Sequence, residues 1–226
     1  FGASPVIATL SDGRDVIVAG QKSGDVHCLD AETGALIWRT KVGQGSALGG
    51  VHWGIAVSKK RVVVPIADPG SPRNDYQPTP GVYALDLDTG KVIWAHKAER
   101  GCTPENGQQR GARGRSGRNR WPACPRQFAF SAAASSTPEL ALASALNGHT
   151  MAFDLADGTV LWKSNTVQPY DTVNGIEAHG GAIDSAGAQV IDDMLFVQSG
   201  YGMFGQMPGN VLLAYRLKNP KRNSND

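Results

Sequence analysis

The chain has 226 residues, among them 28 glycines and 13 prolines, with 41 per cent apolar and 19 per cent charged residues. That apolar share excludes wholesale disorder, no heptads support a coiled coil, and glycines and charges interrupt every apolar run before the roughly 20 residues a membrane-spanning helix needs. The formal net charge of +2 conceals a local excess, because Lys97 to Arg126 holds eight basic and two acidic residues. A basic loop is therefore expected on a mildly acidic body. The first residue is Phe1 and no basic start, apolar run and small-residue cleavage site stands there, so the chain is expected to open downstream of its natural start.

In chain order, two short alternating strands at Ser4 to Thr9 and Asp15 to Gly20 lead into Gly24-Asp25-Val26-His27-Cys28-Leu29-Asp30, a turn, and Leu36-Ile37-Trp38. The second unit has strands at Gly50 to Val57 and Arg61 to Ala67, then Gly81 to Asp86 and Val92-Ile93-Trp94. A third has Gln127 to Ala134, Leu140 to Ala145, Gly148 to Asp154 and Val160-Leu161-Trp162. The fourth, His179 to Ile191, Met194 to Ser199 and Gly209 to Tyr215, loses the terminal Asp and Trp. In the three full copies Trp follows Asp by eight residues (30 to 38, 86 to 94, 154 to 162) and Gly follows it by four. Asp suits such a turn because its side chain bonds nearby amides, and Gly tolerates the left-handed position.

Units 56, 68 and 61 residues apart exceed the bare blade of a β-propeller, about 40 to 50 residues. The surplus falls in loops at Asp68 to Pro80, Lys97 to Arg126 and Asn165 to Ala178. The expected fold is all-β, with propeller blades of four antiparallel strands near residues 1–43, 44–97, 127–165 and 178–217. A basic inserted loop spans 98–126 and a polar tail 218–226. The fourth blade is short of one strand, because the residues after Tyr215 are too polar and turn-rich to supply it. Strict periodicity makes Trp38, Trp94 and Trp162 packing residues between blades.

Ala19-Gly20-Gln21-Lys22-Ser23-Gly24, followed by Leu29-Asp30, Thr33-Gly34 and Trp38, resembles the tryptophan repeat of pyrroloquinoline quinone (PQQ) dehydrogenases. Phe1-Gly2-Ala3-Ser4-Pro5, Gly49 to Gly54 and the block from Val173 to Ala214 look more narrowly like the polyvinyl-alcohol dehydrogenase branch. The resemblance covers nearly the whole chain and is weakest from Thr103 to Arg126. It implies half of an eight-bladed ring, PQQ lying flat across the axis, and calcium polarising the quinone. Secondary alcohols would be oxidised by hydride transfer, with electrons passed to a cytochrome c partner. No Cys-x-x-Cys-His stands in the chain, so haem c is expected only through a partner or another domain. The implied location is periplasmic or secreted.

By the same resemblance Lys22 occupies the place of the cation that bonds the quinone oxygens, stabilising the charge that hydride transfer creates. Its plain alternative is an exposed turn lysine. His52-Trp53 resembles an element lining the same pocket, where His52 would donate a hydrogen bond to the cofactor or serve as a satisfied inner-strand histidine. Asn174 falls on a loop that reaches the cofactor in relatives, although Asn-Gly is also an ordinary turn. His149 and His179 read as structural or solvent histidines. The family's catalytic Asp and the calcium-ligating Glu and Asn are expected upstream of Phe1, and Asp12, Asp15 and Asp184 read as turn residues and poor substitutes. No catalytic residue is expected within the chain.

Cys28 takes the inward small position held by Ala84 and Ala152 and reads as a buried thiol. Cys102 and Cys124 bracket the basic loop, and an oxidising periplasm would permit their pairing, adding about 3 kcal/mol in the entropic model. The Arg-Gly tract within that loop lacks the interleaved aromatics of an RNA binder. It reads as a solvated loop or a docking surface for an acidic electron acceptor. Two other readings stay open: a non-catalytic propeller acting as an interaction scaffold, and a closed four-bladed ring, against which the missing strand argues.

Overall fold

The computed structural model describes residues 1–68, 80–99, 129–203 and 205–218. Residues 100–126 of the basic loop, with Cys102 and Cys124, and the end of the polar tail lie outside the described residues. Three four-stranded antiparallel sheets follow one another along the chain. The first contains β1 (Val6–Thr9), β2 (Asp15–Gly20), β3 (Asp25–Asp30) and β4 (Leu36–Lys41); the second β5 (Ala56–Ser58), β6 (Arg61–Ile66), β7 (Gly81–Asp86) and β8 (Val92–Lys97). The third contains β9 (Ser135–Ser136), β10 (Leu140–Ser144), β11 (His149–Asp154) and β12 (Val160–Asn165). A small pair, β13 (Pro169–Tyr170) and β14 (Ala178–His179), precedes a three-stranded sheet of β15 (Gln189–Ile191), β16 (Met194–Ser199) and β17 (Val211–Arg216). Strands in each sheet pair in chain order, as blades of a partial propeller do. Among the described residues no helix is long and apolar enough to cross a membrane.

The central strands are apolar on both faces because each sheet is covered on both sides. Successive side chains of a strand point to opposite faces. In β6, Val62, Val64 and Ile66 therefore pack with Val16, Val18 and Val26 of the first sheet. Val63, between them, packs with Phe153 and Met151 of the third. The next interface gathers Ala132, Ile183, Val197 and Leu213. Pro65 lies beyond the stretch of β6 that β5 pairs, which ends at Val63, in keeping with the missing N–H of proline.

Each Asp-to-Trp repeat builds the same hairpin. Asp30 Oδ1 accepts the Thr33 amide and hydroxyl, both at 2.8 Å, and Asp86 Oδ1 does the same for Thr89 at 2.9 and 2.8 Å. Gly34, Gly90 and Gly158 then turn with φ of 72°, 70° and 79°. A bulge falls after Cys28, Ala84 and Ala152, the residues facing Trp38, Trp94 and Trp162 across the hairpin.

The tryptophans fasten each blade to the next. Trp38 Nε1 donates to Leu87 O at 2.8 Å and Trp94 Nε1 to Leu155 O at 3.1 Å. Each indole lies over the following blade's turn glycine: a methyl group on Gly90 would stand 2.6 Å from Trp38 Cδ2, and one on Gly158 2.6 Å from Trp94 Cδ2. Trp162 instead meets the edge of Tyr215, ring centres 5.1 Å apart.

The inner strands are shorter than the alternation predicts. Of Gly50 to Val57 only Ala56 and Val57 enter a strand, the third blade's inner strand is Ser135–Ser136, and His179 pairs with Pro169 in the small sheet. The preceding segments are extended but bond between blades. Gly54 bridges Ser4, Ala134 N donates to Gly54 O at 3.2 Å, and Ala133 N donates to Ser185 O at 3.0 Å. Period-two alternation marks extended chain and says nothing of its partner.

Candidate functional site

The residues that meet at the candidate site stand just before the inner strands. His52 and Ser131 stand four positions ahead of β5 and β9, Asp184 five ahead of β15, and Gly2 four ahead of β1. Gly2 has to be small: a methyl group there would lie 2.7 Å from Lys22 Cε and 2.8 Å from the His52 carbonyl oxygen. Lys22 and His52 are thereby neighbours, although they belong to different blades.

Lys22 sits in the tight turn between β2 and β3, closed by Gly24 N donating to Gln21 O at 2.9 Å with Gly24 at φ 85°. Its ammonium donates to Ala47 O at 2.9 Å, and its own carbonyl accepts Ser46 N at 3.1 Å. The 42–50 loop that supplies these partners is held by Asp68, which is fully buried. The Asp68 carboxylate accepts the amides of Gln44, of Gly45 at 2.8 Å and of Gly50 at 2.8 Å. Lys22 is thus fixed by a buried carboxylate 46 positions downstream, which the sequence analysis did not single out.

His52 is buried, with Nδ1 2.7 Å from Ser131 Oγ. Ser131 donates to Asp184 Oδ1 at 2.7 Å, and Gln206 Nε2 donates to Asp184 Oδ2 at 3.0 Å. All four side chains are buried. Burial holds the His52 pKa below its ordinary value of 6.5; nearby Asp184 opposes this and Lys22 reinforces it. The imidazole is therefore neutral near pH 7. Asp184, read from sequence as a turn residue, is the buried end of this chain of hydrogen bonds. The one signal that could have exposed Ser131 and Asp184 is their place in the repeat frame, just ahead of an inner strand.

Trp53 lies against His52, ring centres 5.0 Å apart at 47°. Its indole Nε1 is buried and has no hydrogen-bond partner among the described residues. A buried donor left unpaired costs about 1 to 3 kcal/mol, so an acceptor brought to this N–H would be favoured. A planar, anionic o-quinone offers acceptors that suit an unpaired indole N–H and an ammonium, so the donor chemistry of Trp53 and Lys22 fits PQQ. Lys22 and Trp53 would hold it, and it would supply a hydride acceptor. Among the described residues no group of three or more His, Cys, Asp or Glu side chains forms a metal-ligand set, and no chemistry assigned to these residues runs through calcium.

Asn174 is exposed in a separate turn, where its Oδ1 accepts Ile176 N at 3.3 Å and Gly175 has φ 70°. Its hydrogen bonds stay within that turn. His179 bonds Gly180 O and, through its amide, Asn210. His149 lines a small cavity with His96, Glu99, Phe130, Asn147 and Lys163; burial lowers the pKa of both histidines. Cys28 is buried, and its thiol is pushed up to about 11 by that burial.

Comparison with known proteins agrees with this architecture. A polyvinylalcohol dehydrogenase of Pseudomonas sp is 39% identical over 96% of the chain, and one of Sphingopyxis sp. (strain 113P3) is 34% identical over 96%. The chain spans only 33% and 32% of those relatives' lengths. The crystal structure of a quinohemoprotein alcohol dehydrogenase from Comamonas testosteroni superposes with a TM-score of 0.53 at 16% sequence identity, over 88% of this chain and 29% of that one, a likeness in fold alone. The family model described as outer membrane protein assembly factor BamB matches residues 2–207. With its repeats, blades and tryptophan sockets, the chain belongs to that PQQ-repeat propeller family.

Proposed function

We propose that this chain is the part of a PQQ-dependent alcohol dehydrogenase, of polyvinyl-alcohol dehydrogenase type, that contacts the cofactor. The observation that carries the reading is the unpaired, buried indole N–H of Trp53 beside His52 and Lys22. Kinship to two polyvinylalcohol dehydrogenases across 96% of the chain supports it. Bound PQQ would supply the hydride acceptor for a secondary alcohol. Lys22 stabilises the negative charge that develops on the quinone, a role suited to a cation held in place beforehand. Trp53 supplies a flat wall and an N–H donor, and the buried surroundings of His52 exclude water. Calcium, a catalytic Asp from elsewhere in a longer protein, a cytochrome c acceptor and a periplasmic or secreted location belong to the same proposal. Asn174 has no part in it, since its bonds serve its own turn.

The test is cofactor retention. The full protein loaded with PQQ and calcium should reduce a dye when given a secondary alcohol, and Lys22→Ala should release PQQ at least about tenfold more readily, the scale of one charge-assisted hydrogen bond. Unchanged retention would remove Lys22 from the site. A second reading has its own support: the matching family model is described by an assembly factor, and a non-catalytic scaffold needs no quinone. Failure of the full protein to bind PQQ would favour that reading.

A further inference from the structure

Asn174-Gly175 is one of three Asn-Gly pairs in the sequence. Asn106-Gly107 lies outside the described residues, which leaves Asn147-Gly148 for comparison. The two pairs build the same turn. In each, the asparagine Oδ1 accepts the amide two residues on, His149 N at 3.2 Å and Ile176 N at 3.3 Å. In each, the glycine amide donates three residues back, Gly148 N to Ala145 O at 3.0 Å and Gly175 N to Thr172 O at 3.1 Å. Both glycines are left-handed, with φ of 81° and 70°.

Their surroundings differ. Residues 141–148 are all buried. Asn147 Nδ2 donates to Glu99 O at 3.3 Å, and a methyl group on Gly148 would stand 2.4 Å from Val167 Cγ2 and 2.8 Å from Gly181 O. That turn also continues the ladder of β10 and β11, since Ala145 N donates to His149 O at 2.8 Å. Residues 173–177, by contrast, are all exposed, and nothing stands within 4 Å of a methyl group on Gly175. Thr172 Oγ1 donates to Ile176 O at 2.6 Å within the same loop. Opening this turn uncovers no core, whereas opening the other unravels part of a sheet. Local opening free energies within one protein run from near zero in exposed loops to the global value in core strands.

An opened Asn-Gly turn is reactive because glycine puts no Cβ beside its own nitrogen. That nitrogen bonds to the asparagine Cγ, the Cγ–Nδ2 bond breaks, and ammonia leaves with the proton the glycine amide gave up. Water then opens the cyclic imide at either carbonyl, yielding aspartate or isoaspartate, and no atom changes oxidation state. We infer that Asn174 is a site of spontaneous deamidation in the folded chain, with water as co-reactant, and that the fold protects Asn147. The product adds a carboxylate between Asp171 and Glu177, and isoaspartate also lengthens the backbone between the exposed Val173 and Ile176. No enzyme is required, so the converted fraction records the age of the folded chain. The reaction involves no quinone, and its outcome is independent of PQQ binding.

Peptide mass mapping of the full chain, aged in mildly alkaline buffer with and without urea, tests this. In the folded chain the Asn174 peptide should gain the mass of an amide-to-acid change and split into two isomers. It should do so at least about tenfold faster than the Asn147 peptide. In urea the two should convert at comparable rates, which assigns the difference to the fold. Gly175→Ala should slow conversion at Asn174 and leave Asn147 as it was. Equal rates in the folded chain would overturn the inference, as would an intact Asn174 there that converts in urea. A tenfold gap that persists in urea would overturn it too, because sequence alone would then account for the difference.

Discussion

Asp68 organises more of the candidate site than any residue that touches it. Its carboxylate satisfies three amides of the 42–50 loop, and that loop offers the carbonyl on which the Lys22 ammonium rests. Asp68→Ala would leave buried N–H groups unpaired at about 1 to 3 kcal/mol each. The expected outcome is a loss of about 3 kcal/mol or more in urea unfolding, with Asp68→Asn recovering part of it. An unchanged midpoint would mean that water replaces the carboxylate. Lys22, His52 and Trp53 were legible in sequence because short motifs mark them. Asp68, Ser131, Asp184 and Gln206 were not, because each acts through partners 18 or more positions away, and only the topology brings those partners together.

At the scale of elements, the hairpins were fully legible. The Asp, Gly and Trp spacing encodes turn and bulge in all three copies, and in the first two it also encodes the contact of the indole with the next blade's turn. The inner strands were less so, since their segments use their hydrogen bonds to reach adjacent blades. The turn glycines allow a controlled comparison. Gly34 and Gly158 share a positive φ, 72° and 79°, so an alanine at either incurs a left-handed backbone penalty of about 1 kcal/mol. Only Gly158 lies under a tryptophan; nothing stands within 4 Å of a methyl group at Gly34. In this chain Gly158→Ala should therefore destabilise by about 2 kcal/mol more than Gly34→Ala, the added part being the overpacking cost of displacing Trp94. Equal effects in thermal unfolding would show that the indole shifts freely.

For the whole molecule, pH dependence follows from one buried histidine, His52, and two half-buried ones, His96 and His149. His52, His96 and His149 all have pKa values lowered by burial from 6.5. Below that value the unfolded chain binds more protons than the folded one, so stability is fully present above about pH 6.5 and is lost as pH falls toward the folded values. The urea midpoint should drop between pH 7 and pH 5, and His149→Gln should flatten the drop. A midpoint that rises on acidification would contradict the neutral state assigned to these side chains.

The His52, Ser131, Asp184 and Gln206 chain draws on three successive blades. The sockets of Trp38 and Trp94 are alike and would accept an added unit between them. This chain of hydrogen bonds would not. Duplicating the third blade would separate the imidazole from its carboxylate while keeping the seats of Trp38 and Trp94. The number of units between blades two and four is therefore locked by polar chemistry at the centre, and length variation should be confined to the loops or to blades outside that span.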